Sequence, residues 1–187
     1  MGQGSDAIVL GGTTGESPTL ETQELFDLIS FCKKELGAKL PLIVGTGSNS
    51  TKKTIALTAR AKELGANAAL VIVPYYNMPT DEGCLEHFRQ TAQVGLPIIA
   101  YHHPGRTGKT MQVQSLVELL RIPGIVALKE ASGSLETTKT ILSQEPKANI
   151  FSGDDPLTLE LIKIGACGSI SIIANLYPSH WSEIVHA

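Results

Sequence analysis

The sequence has no long hydrophobic run, no block of like charge and no paired cysteines. Its apolar stretches stop well short of the ~20 residues that a membrane helix needs, which argues against a spanning segment. Fifteen basic and eighteen acidic side chains are mixed along 187 residues, for a net charge of −3. Without a basic patch, neither nucleic acid nor an anionic membrane is an expected partner. The start Met1-Gly2-Gln3-Gly4-Ser5-Asp6 is polar and lacks the two regions of a secretory signal. A myristoylation pattern has Ser or Thr where Asp6 stands, so that reading is set aside. Cys32, Cys84 and Cys167 are odd in number, far apart and in no C-x-x-C pair. A reduced, cytoplasmic protein is the simplest expectation. The glycine-rich turn at residues 11–17 is neither G-x-G-x-x-G nor followed by Gly-Lys-Ser/Thr, so nucleotide binding lacks support.

What the chain does have is repetition. Short, β-branched apolar runs occur at residues 7–10, 42–44, 68–73, 98–100, 125–128, 149–151 and 169–173, each followed by Gly, Pro, Ser or Asn. These are marks of buried parallel strands. Helical stretches lie between them. Over residues 21–36, Leu25, Leu28, Ile29, Cys32 and Leu36 form one apolar stripe. Ser50 or Thr51 can cap the next helix, Thr80 a third, and Asp155-Pro156 offers a cap and a first-turn proline for a later one. Gly37, Gly65 and Gly165 repeat one stop signal, a glycine with positive φ just past a helix. No linker or low-complexity segment divides residues 1–187, which reads as one domain of 42% hydrophobic content.

Alternating strands and helices fit an α/β fold, either an open doubly wound sheet or a closed (β/α)8 TIM barrel. Polar residues follow nearly every strand, as in Thr13-Thr14-Gly15-Glu16-Ser17 and Ser152-Gly153-Asp154-Asp155. The loops at strand C-termini carry the site in barrels, which favours that architecture.

Several residues bear chemistry. Lys129 ends the run 125–128, and alternation places Ile125, Ala127 and Lys129 on one face. A lysine facing a barrel interior is desolvated, its pKa falls, and its neutral amine can attack a ketone. Alternatively it snorkels to solvent or pairs with Glu130. Tyr101 ends another run and can either relay protons or be a satisfied core tyrosine. Tyr75 and Tyr76 are adjacent and cannot share one direction. The amides of the turn at 11–17 could hold a carboxylate, or the turn could be no more than a turn. Arg106, just past a strand, could grip a carboxylate or lie on the surface. His102-His103 face opposite ways and cannot chelate one ion, and Asp155 is better explained as a helix cap, so no metal is expected.

Together these pieces resemble the dihydrodipicolinate synthase family. The motifs Gly12-Thr13-Thr14-Gly15-Glu16-Ser17, Gly45-Thr46-Gly47-Ser48-Asn49, Pro74-Tyr75-Tyr76-Asn77, Tyr101 with Pro104-Gly105-Arg106-Thr107-Gly108, Lys129-Glu130-Ala131-Ser132-Gly133 and Ser152-Gly153-Asp154-Asp155 follow its order and spacing over nearly the whole chain. The resemblance implies that Lys129 forms a Schiff base with pyruvate and that no further cofactor is needed. It implies a proton relay of Tyr101, Thr14 and Tyr76, with Tyr76 reaching in from a neighbouring subunit of a homo-oligomer. Thr13 and Thr14 would hold the pyruvate carboxylate, Gly153 and Ile170 would line the pocket, and Arg106 would hold aspartate semialdehyde. Sibling lyases acting on N-acetylneuraminate, 2-keto-3-deoxy sugar acids or 4-hydroxy-2-oxoglutarate share the lysine and tyrosine. Asn49 and Tyr75 match an interface pocket for lysine feedback, but Lys53 stands where sensitive bacterial enzymes have an acid and Thr22 where they have a histidine, which implies weak feedback. His102-His103 replace the family's Asn and aliphatic residue. Against the family pattern the first strand-helix unit and the C-terminal helical region are missing, so a truncated barrel with exposed edge strands near Ile8 and Ile170 is expected, and an inactive fragment is the alternative to an active lyase.

Overall fold

The computed structural model describes residues 4–187, so the Met1-Gly2-Gln3 start lies outside the described residues. Among the described residues, seven parallel strands form one sheet in sequence order: β1 (Ile8–Leu10), β2 (Leu42–Gly45), β3 (Ala68–Ile72), β4 (Ile98–His102), β5 (Ile125–Glu130), β6 (Ile150–Ser152) and β7 (Gly168–Ser169). The helices are α1 (Thr22–Leu36), α2 (Thr51–Glu63), α3 (Asp81–Ala92), α4 (Pro104–Thr107), α5 (Val113–Leu120), α6 (Leu135–Gln144), α7 (Thr158–Lys163) and α8 (Pro178–His186).

Local chemistry accounts for most of the boundaries. Glu21 and Glu24 close a capping box at the start of α1. Ser50, Thr80 and Ser134 each accept a backbone N–H at the first turn of α2, α3 and α6. Gly37, Gly65 and Gly165 all have positive φ, at 59°, 87° and 110°. Gly37 differs from the left-handed expectation, because its ψ of −130° lies outside that region. The stripe of α1 is narrower than expected: Leu25, Ile29 and Leu36 are buried, while Leu28 is exposed.

Strand alternation sorts the apolar residues into two layers. Leu42, Val44, Ala69, Val71, Ile98, Ala100, Leu128 and Ile150 face the helices and join one large core with Phe88, Leu116 and Ile29. Leu70, Ile99, Tyr101, Ala127 and Ala131 face the other way, with Val9, Ile43, Ile72, Phe151 and Ile170 against them. Residues from β1 through β7, among them Val9, Ile43, Leu70, Ile99, Lys129, Phe151 and Ser169, line a single cavity of about 1310 Å³. A flat sheet could not bring them to one cavity, so the sheet is curled.

The sheet stays open, with β1 and β7 as its edges. The C-terminal helix α8 lies across the opening. Trp181 Nε1 donates to Ser169 Oγ at 2.7 Å beside β7, and Ser182 Oγ donates to Gly4 O at 3.0 Å ahead of β1. His186 Nε2 and Asp6 Oδ2 are 3.2 Å apart. The edges expected to be bare are therefore tied by a helix.

Three expectations are corrected. The last strand is Gly168–Ser169 and not residues 169–173, because only Phe151↔Gly168 and Ser152↔Ser169 pair, and residues 173–175 turn as a 3-10 helix. Asp155 is not the cap of the helix that follows it. Its Oδ2 accepts the N–H groups of Ile172 and Ile173, at 3.0 and 2.8 Å, and so caps a turn that arrives from beyond β7. Ile125 does not share a face with Ala127 and Lys129. The β4–β5 register shifts between Ile98 and Ile99, which pair with Ile125 and Ala127, and the irregularity sends Ile125 into the helix-side core.

Candidate active site

Lys129 and Tyr101 are register partners on β5 and β4, both on the cavity side. Lys129 Nζ sits 4.3 Å from the centre of the Tyr101 ring. Burial is the largest influence on Lys129 and brings its pKa down to about 8, Arg106 adding to the fall and Asp155 opposing it. Glu130 does not pair with it. That side chain points to the helix side of the sheet and bonds His102 at 2.8 Å.

The walls around Lys129 are shaped to its stem. A Cβ on Gly153 would lie 2.8 Å from Lys129 Cε and 2.8 Å from Ala131 Cβ, so only glycine fits without displacement. Tyr101 is buried, and burial pushes its hydroxyl pKa up, with Arg106 and Thr13 acting against that rise.

Arg106 lies on α4, immediately past β4, and lines the cavity with Thr13, Thr14, Gly153 and Ile170. Part of the turn at residues 11–17 is closed on itself. Gly15, Glu16 and Ser17 donate to Gly12 O and Thr13 O, and the residues that reach the cavity there are Gly12, Thr13, Thr14 and Gly15. This arrangement puts two hydroxyls and a guanidinium around a desolvated amine, a set suited to a small keto acid.

Tyr76 is not part of this lining. It is 87% exposed and held at φ 73°, with its N–H bonded to Thr107 O. Asn49 and Tyr75, at the ends of β2 and β3, also lie outside the cavity lining. Among the described residues no three His, Cys, Asp or Glu side chains converge on a point, and no helix is long and apolar enough to cross a membrane.

Sequence reasoning missed two contributors. His103 lines the cavity, its ring 5.8 Å from that of Tyr101, and burial followed by Arg106 and Lys129 lowers its pKa. It is two residues beyond Tyr101, so alternation could have found it. Asp155 was set aside as a cap, yet its carboxylate is the one that favours the charged form of Lys129.

The sequence matches the profile of the Dihydrodipicolinate synthetase family over residues 1–187. It is 45% identical over 186 residues to the 4-hydroxy-tetrahydrodipicolinate synthase of Pseudomonas putida, covering 98% of this chain and 64% of that protein. The structure superposes with a TM-score of 0.95 on the pyruvate complex of dihydrodipicolinate synthase from Acinetobacter baumannii, at 42% identity, over 98% of this chain and 64% of the other. The Aquifex aeolicus enzyme also gives a TM-score of 0.95, at 41% identity, over 99% and 64% of the two chains. The chain thus spans 64% of the length of these relatives. On the match along its whole length, this chain belongs to the dihydrodipicolinate synthetase family.

Proposed function

We propose that this chain carries the Schiff-base site of a pyruvate-dependent lyase, acting as a 4-hydroxy-tetrahydrodipicolinate synthase in lysine and diaminopimelate biosynthesis. The carrying observation is the inward, desolvated Lys129 against Tyr101, with a pKa of about 8. The names of the relatives point to the same chemistry.

On this reading the neutral Lys129 amine adds to C2 of pyruvate. Tyr101 hands a proton to the departing hydroxyl, and water leaves to give the iminium. Loss of a C3 proton gives the enamine, whose C3 attacks the aldehyde carbon of L-aspartate 4-semialdehyde. The amino group of that substrate then attacks the iminium carbon, closes the ring and expels Lys129. The iminium is itself the electron sink, so the reaction needs no other cofactor and no metal. Thr13 and Thr14 hold the pyruvate carboxylate, Arg106 holds that of the semialdehyde, and Gly153 and Ile170 shape the pocket.

The finer assignments belong to the same proposal. The curled sheet is read as a (β/α)8 barrel with one strand position open between β7 and β1. Tyr76 points outward and serves a second copy in a homo-oligomer. Lys53, exposed in the first turn of α2, leaves the Asn49–Tyr75 region poorly suited to bind lysine. The free thiols of Cys32, Cys84 and Cys167 fit a reducing cytoplasm.

Borohydride trapping with pyruvate, followed by peptide mass spectrometry, tests the reading. The expected result is a reduced adduct on Lys129 that is absent in Lys129→Ala. A folded chain that gives no adduct overturns it.

A further inference from the structure

One residue beyond the Tyr101–Lys129 pair, β4 and β5 are joined by a second pair that faces the opposite side of the sheet. His102 and Glu130 are register partners, 1% and 2% exposed. His102 Nδ1 lies 2.8 Å from Glu130 Oε2, and the N–H of Met111 donates to His102 Nε2 at 3.3 Å. A ring nitrogen that accepts an N–H carries no proton of its own. Nε2 is therefore the acceptor, Nδ1 holds the hydrogen, and the imidazole donates to the carboxylate. Glu130 Oε1 is also used, accepting the Ser132 N–H at 2.5 Å.

Both bonds matter for what stands on the other face. The β4–β5 ladder is irregular upstream, between Ile98 and Ile99. A slip of one residue would turn Lys129 out of the cavity. Glu130 makes the slip costly, because a buried carboxylate that loses its donors has no water to replace them. The Nε2 bond works elsewhere. It joins residue 102 to residue 111 and so closes the base of the excursion that carries Arg106 on α4. Met111 is itself 2% exposed and anchors the return.

We propose that His102 and Glu130 are positioning residues for the reactive site: the Nδ1 bond sets Lys129 against Tyr101, and the Nε2 bond fixes the turn that presents Arg106. This inference rests on the Schiff-base reading above. It adds residues that touch no substrate, and it gives a role to the histidine that stands where the family pattern has asparagine.

Amide side chains can separate the two bonds. In His102→Asn the amide takes the place of Nδ1, keeps the Glu130 bond and loses Met111. In His102→Gln the amide takes the place of Nε2, keeps Met111 and loses Glu130. The experiment uses the chain of residues 1–187, measures the rate of borohydride-trapped pyruvate adduct on Lys129, and follows exchange of the Met111 amide hydrogen. His102→Gln is expected to slow adduct formation roughly 10- to 100-fold, the loss typical of a reacting group misplaced by about an ångström, while Met111 stays protected. His102→Asn is expected to restore the adduct rate and to speed Met111 exchange. If His102→Gln does not fold, Glu130→Gln reads the same bond and is expected to slow the adduct likewise. Equal adduct rates in folded His102→Asn and His102→Gln, or an unchanged rate in Glu130→Gln, overturn the positioning role and leave the lyase reading intact. No adduct on the unsubstituted chain overturns both.

Discussion

The two faces of the sheet are made from alternate residues of the same strands, yet they are finished differently. On the helix side Leu42, Val44, Ile98, Leu128 and Ile150 are fully buried and join a continuous core. On the inner side five buried residues form a small cluster beside a cavity of about 1310 Å³. Apart from the His102–Glu130 pair, the outer face is filled with apolar side chains under α1, α2, α3, α5 and α6. The inner face holds a lysine and an arginine beside a tyrosine, and a glycine kept bare for the lysine stem. Stability is thus concentrated on one side of each strand, and the chemistry occupies the side where packing is given up.

The sharpest break of that comparison uses two neighbours on β5. Lys129→Met should abolish adduct formation and still make the fold more stable. The sign follows from linkage. Lys129 has its pKa lowered to about 8 in the folded chain, below the ordinary lysine value, so the folded state carries a penalty that is complete below pH 8. The penalty fades as pH rises toward 10.5, the ordinary lysine value. It amounts to about 3 kcal/mol at neutral pH, and Met removes it. Leu128→Ala, one residue away and on the dry side, should do the reverse, costing about 2–5 kcal/mol through lost contacts and a cavity. Urea midpoints of the two variants check this. A Lys129→Met chain that is markedly less stable would mean that the inner face is packed for stability after all.

A second prediction concerns the outer layer alone. His87 on α3 is 4% exposed, its Nε2 has no partner among the described residues, and its Nδ1 lies 3.0 Å from Thr51 Oγ1 on α2. Burial lowers its pKa to about 4. The folded state therefore favours neutral His87, and this contribution is fully present above pH 6.5, the ordinary value. It is lost progressively as pH falls toward 4, where the loss totals about 3 kcal/mol. Replacing His87 with Gln should flatten the stability profile between those limits. An equally steep profile in His87→Gln would assign the acid sensitivity to another group.

Much of this division could be read from the residues, and the rest could not for a physical reason. The β-branched runs located all seven strands, and glycines marked the ends of α1, α2 and α7. Strict alternation put Ala127 and Lys129 on one face, the inner one, because side-chain direction in a regular strand depends only on position along it. Alternation failed at Ile125, where the register shift with β4 sets the direction. Asp155 was misread because its partners, Ile172 and Ile173, are 17 and 18 residues away. The His102–Glu130 bond escaped for the same reason, since it depends on how β4 and β5 align. Cross-strand register is a tertiary property, and a single sequence carries no local sign of it.

The smallest expected effect tests whether the bare spot on the inner face is a requirement or an accident. Gly153 follows β6, and its N–H donates to Glu130 O at 2.8 Å, which holds its backbone against β5. A methyl group there would meet Lys129 Cε and Ala131 Cβ, each at 2.8 Å. Lys129 can swing its stem aside, but Ala131 Cβ is fixed to the backbone, so the strand must also shift. Gly153→Ala should cost about 1–3 kcal/mol, as overpacking does. It should also slow the trapped adduct, because the stem that yields is the one bearing the reactive amine. The two effects are linked through one steric contact, so Gly153→Ala combined with Lys129→Met should recover only the part of the stability that the lysine stem accounts for. Full recovery would show that Ala131 gives way freely and that Gly153 is kept small for the lysine alone.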